Sequence, residues 1–169
     1  MSEEIETLSD DLYDDGEDTM KDRYFTFKVG DEEYGIEIMY VIEVIGIQKI
    51  TEVPDMPIFV KGVINLRGQV IPVMDVRSRF RMEEHEYDER TCIVVVTIKD
   101  SAIGLVVDMV SDVIDIPEEN VDPPPKISRK PGSRFIKGLG KIDDQVKILL
   151  DVQKLLYDDE AEQVSSAAE

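Results

Sequence analysis

The chain has 169 residues, enough for one medium domain or two small ones, and its 38 acidic and 19 basic side chains give a formal net charge of −19. An acidic chain with no Trp and no basic stripe is poorly suited to bind DNA or RNA. The single cysteine, Cys92, excludes an internal disulfide, no signal peptide is recognisable, and no apolar run approaches the ~20 residues that cross a bilayer. We therefore expect a cytoplasmic protein that does not insert into membranes.

The acidic charge is concentrated at the two ends of the chain. Residues 1–20 hold nine acids and residues 157–169 hold five, with no Lys or Arg in either stretch. The part between them holds 24 acids and 19 bases, a net charge of −5. Because both ends are too poor in apolar residues to offset the entropy of ordering, we expect disordered acidic tails at 1–21 and 157–169.

The first predicted elements are two strands and a short helix. In RYFTFKVG the apolar residues Phe25, Phe27 and Val29 stand at every second position, which is the period of a half-buried strand. YGIEI alternates again after a turn at 31–33. A spacing of i, i+3, i+4 and i+7 then predicts a short helix with one apolar face, formed by Ile38, Val41, Ile42 and Ile45.

The next predicted elements are a hairpin, two short helices and a buried strand. VKGVIN and QVIPVMD flank a tight turn at Leu66-Arg67-Gly68. Asp75 and Asp151 are placed to cap the N-termini of helices in DVRSRF and DVQKLL. CIVVVTI is apolar on both faces and should be the most buried strand.

The chain contains an internal repeat. FVKGVINLRGQVIPVMDV at 59–76 recurs as FIKGLGKIDDQVKILLDV at 135–152, and residues 24–45 align with 93–114 at an offset of 69. Short strands with tight turns favour a small barrel in each copy, since closure removes exposed strand edges. We therefore predict a first barrel at 22–82, a charged link at 83–90 and a second barrel at 91–156. Units of this size are marginally stable alone, so an extensive apolar seam should join them.

Residues suited to catalysis are scarce. The only histidine, His85, lies in the charged link, and Cys92 opens a buried strand without a histidine partner nearby in the sequence. No phosphate-binding glycine motif is present, and GLGK at 138–141 should lie in a strand. Asp108, Asp112 and Asp115 could line one side of a helical turn, but such acids are common on helix surfaces. We expect no catalysis, no metal and no cofactor.

Positions that differ between the two copies are freer to serve function. Arg67-Gly68 at the first hairpin tip stands against Asp143-Asp144 in the second. An arginine there can present its planar donors to a carboxylate or carbonyl, although an ordinary exposed turn arginine is an equally good interpretation. Glu43 aligns with Asp112, so an acid recurs there in both copies. Val41 and Val110 are apolar in both copies, for which core packing is the simpler explanation.

Three runs of the sequence together resemble the CheW family of bacterial chemotaxis coupling proteins. They are DEEYGIEIMYVIEVIG, VPDMPIFVKGVINLRGQVIPVMDVRSRF and IGLVVDMVSDV, and the resemblance covers about residues 24–156. The same domain also occurs in the chemotaxis histidine kinase and, joined to a receiver domain, in another coupling protein. This chain has no space for a kinase core or a receiver domain, which favours the free-standing adaptor.

The resemblance implies a mainly β fold of two tandem SH3-like five-stranded β-barrels, with strands exchanged near their boundary, short helices and a C-terminal helix. It implies a non-catalytic adaptor, monomeric when free, that is recruited to membrane-associated receptor arrays. Its partners would be the cytoplasmic tips of methyl-accepting chemoreceptors and the regulatory domain of the histidine kinase CheA. Kinase-contact residues are not assigned. Receptor contact along the groove between the barrels would involve Ile38, Val41, Glu43, Gly62, Arg67, Val110 and Val113.

We therefore hypothesise that the residues common to both copies build the two barrels. The turn that differs between them, with Arg67 in the first copy, would allow only the first barrel to recognise a receptor helix. One alternative is another tandem-barrel module for peptides or nucleic acid; the acidic middle argues against nucleic acid, and the lack of an aromatic-lined groove argues against proline-rich ligands. A small hydrolase or metal enzyme is a more distant alternative, opposed by the lone His85 and lone Cys92.

Overall fold

The computed structural model describes residues 20–124 and 134–157. The predicted tails therefore lie outside the described residues, apart from the last two residues of the first and the first residue of the second, as does most of the Pro-rich stretch after residue 122. The described part is mainly β, with eleven strands: β1 (Arg23–Val29), β2 (Glu32–Glu37), β3 (Val41–Gly46), β4 (Val60–Leu66), β5 (Gln69–Asp75), β6 (Cys92–Ile98), β7 (Ser101–Val107), β8 (Met109–Asp115), β9 (Val121–Asp122), β10 (Ile136–Ile142) and β11 (Gln145–Leu150).

Short helical segments complete the described part. They include the α-helices α1 (Val76–Arg79) and α2 (Val152–Tyr157) and the 3₁₀ turns at Ile38–Tyr40 and Glu118–Asn120. The predicted caps are confirmed: the carboxylate of Asp75 accepts from the N–H of Ser78, and that of Asp151 from the N–H of Lys154.

The strands form two sheets whose orders mirror each other. One has the order β3-β6-β7-β5-β4 and the other β8-β1-β2-β11-β10-β9. Each sheet contains two antiparallel hairpins that are joined by a short parallel ladder. The parallel pair is β5 with β7 in one sheet and β11 with β2 in the other. The repeat is therefore visible in three dimensions, because β3, β6, β7, β5 and β4 correspond to β8, β1, β2, β11 and β10.

Each sheet takes strands from both halves of the chain. β1 and β2 lie in the sheet of the second half, while β6 and β7 lie in the sheet of the first. The division into segments 22–82 and 91–156 therefore does not coincide with the sheets. This exchange gives the two halves a shared backbone hydrogen-bond network as well as a shared core.

The largest buried cluster joins the two sheets, and we call it the seam. Phe27 and Ile36 from one sheet and Val94, Val96 and Leu105 from the other are all 0% exposed within it. At about 25 cal/mol per Å² of apolar area removed from water, a cluster of this extent is a main source of stability. The predicted apolar seam between the halves is present.

Strands β6 and β1 show how well the pattern of apolar residues in the sequence predicts which strand faces are buried. β6 is buried on both faces as predicted, since Val94 and Val96 face the seam while Ile93 and Val95 pack in a separate cluster inside their own sheet. The prediction of a half-buried β1 was wrong, because Thr26 is 1% exposed. Its hydroxyl exchanges hydrogen bonds with the backbone of Asp112, at 3.0 Å in each direction, which satisfies a polar group on a buried face.

The predicted helix at residues 38–45 was wrong. Only Ile38–Tyr40 is helical, as a 3₁₀ turn, and the rest of the stretch is strand β3. Val41 pairs with Val96 and Val44 with Val94, so three steps along β3 match two along β6. This β-bulge inserts one residue and places side chains three apart on the same side of the strand. The four residues of the predicted helical face do not share one side: Ile38 and Val41 pack against the seam, Ile45 packs in the inner cluster of its own sheet, and Ile42 is 53% exposed.

Candidate functional site

The hairpin tip that carries Arg67 has a strained but locally supported backbone. Arg67 and Gly68 have φ of 52° and 85°, and a two-residue turn with both central residues in this region suits the twist of the flanking strands. The side chain of Asn65 accepts from the N–H of Gly68 at 2.8 Å and holds the turn. The turn predicted at this place is confirmed, and it leaves the side chain of Arg67 73% exposed.

Arg67 reaches from this tip to the opposite edge of its sheet. Its Nη1 and Nη2 donate to the two carboxylate oxygens of Glu43 at 2.9 and 2.6 Å. The hydrogen bond from Arg67 holds the pKa of Glu43 below its usual range. Since β3 and β4 are the two edge strands of the five-stranded sheet, the pair shows that this sheet curls until its edges approach.

The second copy keeps the turn and loses the ion pair. Asp143 and Asp144 have φ of 45° and 65°, the same pattern as the first tip. Glu43 is replaced by Asp112, whose carboxylate accepts from the N–H of Val113 at 2.8 Å. An acid now stands at both the hairpin-tip position and the edge-strand position. The turn backbone that both copies share is therefore structural, and Arg67 distinguishes the first hairpin tip from the second.

Four valines at equivalent places border the seam, and we call them the seam valines: Val41, Val44, Val110 and Val113. On β8, Val110 pairs with Phe27 and Val113 with Phe25, so β8 carries the same three-against-two bulge as β3. Their partners belong to the seam, which places the valines on its side of both edge strands. Val44 and Val113 are 38% and 43% exposed, and Val41 and Val110 are half-buried.

Further exposed apolar residues adjoin β3. The 3₁₀ turn that contains Ile38 contacts both β1 and β6, and Ile38 packs against the seam. Met39 and Ile42 are 57% and 53% exposed beside it. The sequence did not mark Val44, Met39 or Ile42 as contact residues, although Ile42 was assigned to the apolar face of the predicted helix and Val44 aligns with Val113 in the repeat.

Gly62 is buried and has a backbone role. Its φ is 150°, and a Cβ at this position would lie 2.0 Å from the carbonyl oxygen of Thr51. Thr51 and Val63 exchange backbone hydrogen bonds of 2.8 Å beside it. Only glycine allows this approach, so Gly62 fixes the path of the chain at strand β4.

The two residues considered for enzyme chemistry, His85 and Cys92, differ in burial. His85 is exposed, and burial raises the pKa of the Cys92 thiol, which disfavours the nucleophilic thiolate. His85 lines an open cleft of about 470 Å³ together with Tyr87, whose hydroxyl donates to Asp75 at 2.6 Å. Burial and this hydrogen bond raise the pKa of Tyr87. Across residues 20–124 and 134–157, no grouping of three or more His, Cys, Asp or Glu side chains could hold a metal.

The three aspartates first placed along a helical turn lie elsewhere. Asp112 and Asp115 are on strand β8, so the helical interpretation was wrong. Asp108 precedes that strand and receives two-point hydrogen bonds from Arg77, with Nε–Oδ1 at 2.8 Å and Nη2–Oδ2 at 2.6 Å. Asp108 is thus a structural link between the two halves of the chain. Among the described helices, none has the length and apolarity of a membrane span.

The fold and its surface define a class of protein: a duplicated β-sheet domain with an apolar seam border and a charged rim, as is usual for interaction modules. A family model for the CheW-like domain matches residues 23–160. The chain belongs to the CheW family.

Individual relatives agree with this membership. The chain is 36% identical over 151 residues to chemotaxis protein CheW of Klebsiella aerogenes, covering 89% of this chain and 91% of that one. It is 32% identical over 135 residues to chemotaxis protein CheW of Bacillus subtilis, covering 80% and 86% of the two chains. The crystal structure of the scaffolding protein TtCheW from Thermoanaerobacter tengcongensis is similar with a TM-score of 0.74 at 34% identity, covering 80% of this chain and 92% of that one. The chain is thus a chemotaxis scaffold of the CheW type.

Proposed function

We propose that this protein is a non-catalytic adaptor that couples the cytoplasmic tips of chemoreceptors to the histidine kinase CheA. Membership of the CheW family and the similarity to a scaffolding protein support an adaptor role. The raised pKa of the Cys92 thiol also disfavours nucleophilic catalysis at that residue. The protein would act in the cytoplasm, monomeric when free, and be recruited to membrane-associated receptor arrays.

The observation that carries the proposal is the joint placement of a charged rim and an apolar border. The seam valines are only partly covered, and Glu43, which binds Arg67, lies between Val41 and Val44 along β3, opposite Val95 and not opposite a residue of the seam. A receptor tip is a bundle of helices, and an amphipathic helix binds by laying its apolar face in a groove. The seam valines of β3 and β8 would form the floor of that groove, and the ion pair would orient the helix.

The predicted receptor-contact residues then have different roles. Val41, Val110 and Val113 contact the apolar face of the helix, and Ile38 supports β3 from the seam. Arg67 contributes donors that Glu43 does not occupy, because a guanidinium has five N–H groups and the pair uses two. Gly62 has no side chain to offer and acts by fixing the path of strand β4.

The kinase would bind a second surface. An adaptor that joins two partners must contact both at once, so the receptor and kinase surfaces should be separate. We assign no residues to the kinase surface.

An NMR titration tests the adaptor role. Labelled protein is titrated with a receptor cytoplasmic-tip fragment, and a second sample with the regulatory domain of CheA. We expect two separate sets of shifting amides, the receptor set on β3, β8 and the β4–β5 tip. Overlapping sets would show competition between the partners and contradict a coupling function.

A further inference from the structure

Helix α1 carries a buried arginine where the two halves of the chain meet. Arg79 is 3% exposed, and its guanidinium carbon lies 4.1 Å from the ring centroid of Phe59 and 4.7 Å from that of Phe135. Its Nε donates to the carbonyl of Leu155 at 2.8 Å. Phe59 corresponds to Phe135 in the repeat, and Arg79 itself corresponds to Leu155. The guanidinium therefore occupies a place where equivalent elements of both halves converge.

This arginine secures helix α2. The last carbonyls of a helix have no partner within it, and a cation suits them in both hydrogen bonding and charge. Nε of Arg79 meets that need at Leu155, and Nη2 makes a longer contact of 3.5 Å with the carbonyl of Lys154. The helix also buries apolar side chains, among them Val152 and Leu156. Arg79 is the polar part of the docking of α2.

A continuous stack of aromatic rings starts beside this arginine. The rings follow in the order Phe135, Phe80, Tyr34, Phe27 and Phe25, with centroid separations of 6.0, 5.2, 6.2 and 6.4 Å. These separations lie in the range in which aromatic pairs attract each other. Phe25, Phe27 and Tyr34 lie on β1 and β2, Phe80 directly follows α1, and Phe135 directly precedes β10, so the stack joins residues of both halves of the chain.

The far end of the stack supports half of the proposed receptor groove. Phe27 pairs with Val110 and Phe25 with Val113 across strands β1 and β8. Directly opposed residues of an antiparallel pair have side chains in contact distance. A displacement of the stack would therefore move two of the four seam valines. Packed interiors transmit such displacements because they contain little free volume.

We propose that Arg79 is a positioning residue for the receptor groove. By fixing the ring of Phe135 against helix α2, it sets the position of the stack on which Val110 and Val113 rest. This inference rests on the proposed function, because the proposed function assigns the groove as the receptor site. Reciprocity then requires that a partner bound at the groove strengthens the docking of α2.

The test compares two variants of Arg79 with a control of matched stability. Arg79→Met keeps the length of the side chain and removes its charge and donors, whereas Arg79→Lys keeps a cation. The control is Ile64→Val or Ile64→Ala, whichever lowers the unfolding midpoint by the amount closest to Arg79→Met. Ile64 is 2% exposed in the cluster inside the five-stranded sheet, away from the aromatic stack.

Three quantities are measured on each protein. The methyl resonances of Val110 and Val113 are recorded without partner, the hydrogen exchange of α2 amides such as that of Leu155 with and without partner, and the dissociation constant for a receptor cytoplasmic-tip fragment. For Arg79→Met we expect shifted methyl resonances, about three- to tenfold weaker binding, and loss of the partner-induced protection of α2. Arg79→Lys should recover part of each effect, and the Ile64 control should show none of them.

Other outcomes overturn the inference. If Arg79→Met leaves the methyl resonances and the affinity at wild-type values, or if the control weakens binding equally, Arg79 only stabilises the fold. If Arg79→Met does not fold, Arg79→Lys is compared with wild type instead. Unchanged methyl resonances, α2 hydrogen exchange and affinity in Arg79→Lys would then contradict the positioning role. If the wild-type protein fails to bind the fragment, the proposed function fails, while the methyl shifts and α2 exchange of the free variants still decide the role of Arg79.

Discussion

Arg67 and Glu43 form a two-point ion pair between a hairpin tip and the far edge strand of the same sheet, with N–O distances of 2.9 and 2.6 Å. The arginine is 73% exposed, and ion pairs at such exposure are screened by solvent and contribute little to stability. We therefore propose that the geometry of the pair serves binding more than folding. The pair holds an arginine at a defined orientation against strand β3, at the position opposite Val95.

Replacing Arg67 should separate binding from stability. We expect Arg67→Ala to weaken binding of a receptor-tip fragment by roughly 1–3 kcal/mol, because an oriented charged anchor is lost. The free energy of unfolding should change by no more than about 0.5 kcal/mol, as for most surface substitutions. Calorimetric titration and urea unfolding measure the two quantities. Arg90→Ala, at another exposed position, is the control and should change neither. Equal losses of affinity and stability for Arg67→Ala would show a structural role.

Removing single apolar contacts at the groove should reduce affinity without unfolding the protein. Val44→Thr and Val113→Thr keep side-chain volume and place a hydroxyl where an apolar helix face would lie. Each should weaken binding of the receptor-tip fragment by about 1 kcal/mol or more. Val53, 38% exposed like Val44, lies beyond the Thr51 bridge to β4 and gives the matched control Val53→Thr. Equal effects of all three substitutions would place the contact outside the seam border.

Three glycines should respond to alanine in a graded order. Gly62→Ala puts a Cβ 2.0 Å from the carbonyl oxygen of Thr51 at a φ of 150° and should cost about 3 kcal/mol or more. Gly68→Ala meets open space at a φ of 85° and should cost about 1 kcal/mol. Gly46→Ala meets open space without a positive φ and should be nearly neutral or slightly stabilising. Urea unfolding of the three variants gives the order, and an equal cost for Gly46 and Gly62 would be inconsistent with this backbone geometry.

The Arg77–Asp108 link should make stability depend on acid pH. Burial alone would raise the pKa of Asp108, but hydrogen bonds from Arg77 and from the N–H of Gly30 outweigh it and keep the pKa below its usual value. A lowered folded-state pKa stabilises the protein above the unfolded pKa of about 3.9, and this stabilisation is lost as the pH falls through the folded value. Asp108→Asn should therefore be about 1–2 kcal/mol less stable than wild type at pH 7, and the difference should shrink as the pH falls below the unfolded pKa of about 3.9.

Urea unfolding at pH 7 and pH 3 checks this dependence. Glu119→Gln removes a carboxylate at an exposed position and should match wild type at both pH values. A stability difference for Asp108→Asn that stays constant between pH 7 and pH 3 would show that the carboxylate charge is not what stabilises the link.

Local features of the fold were predictable from the sequence because each depends on neighbouring residues. The turn at Arg67-Gly68, the caps at Asp75 and Asp151 and the doubly buried strand β6 all follow from short-range rules. The repeat added the equivalence of the two halves. Family resemblance supplied the fold class, which the similarity to TtCheW supports.

Long-range features were not predictable from spacing. The apolar residues at 38–45 have helical spacing in the sequence, but they belong to a 3₁₀ turn and a bulged strand whose two sides face different clusters. The ion pair between Arg67 and Glu43 depends on curling of the sheet, which no local pattern reports. The arrangement of Arg79 with Phe59 and Phe135 likewise arises only when the two halves meet.

Methyl NMR of the seam valines tests the central claim most directly. Valine-labelled protein is titrated with a receptor cytoplasmic-tip fragment, and the methyl resonances of Val41, Val44, Val110 and Val113 are compared with those of Val95, which is 1% exposed inside its own sheet. We expect all four seam valines to shift along a saturable curve, Val95 to stay in place, and Arg67→Ala to move the curve to higher fragment concentration. Saturable binding that leaves the seam valines unshifted, or that Arg67→Ala leaves unchanged, would contradict the account.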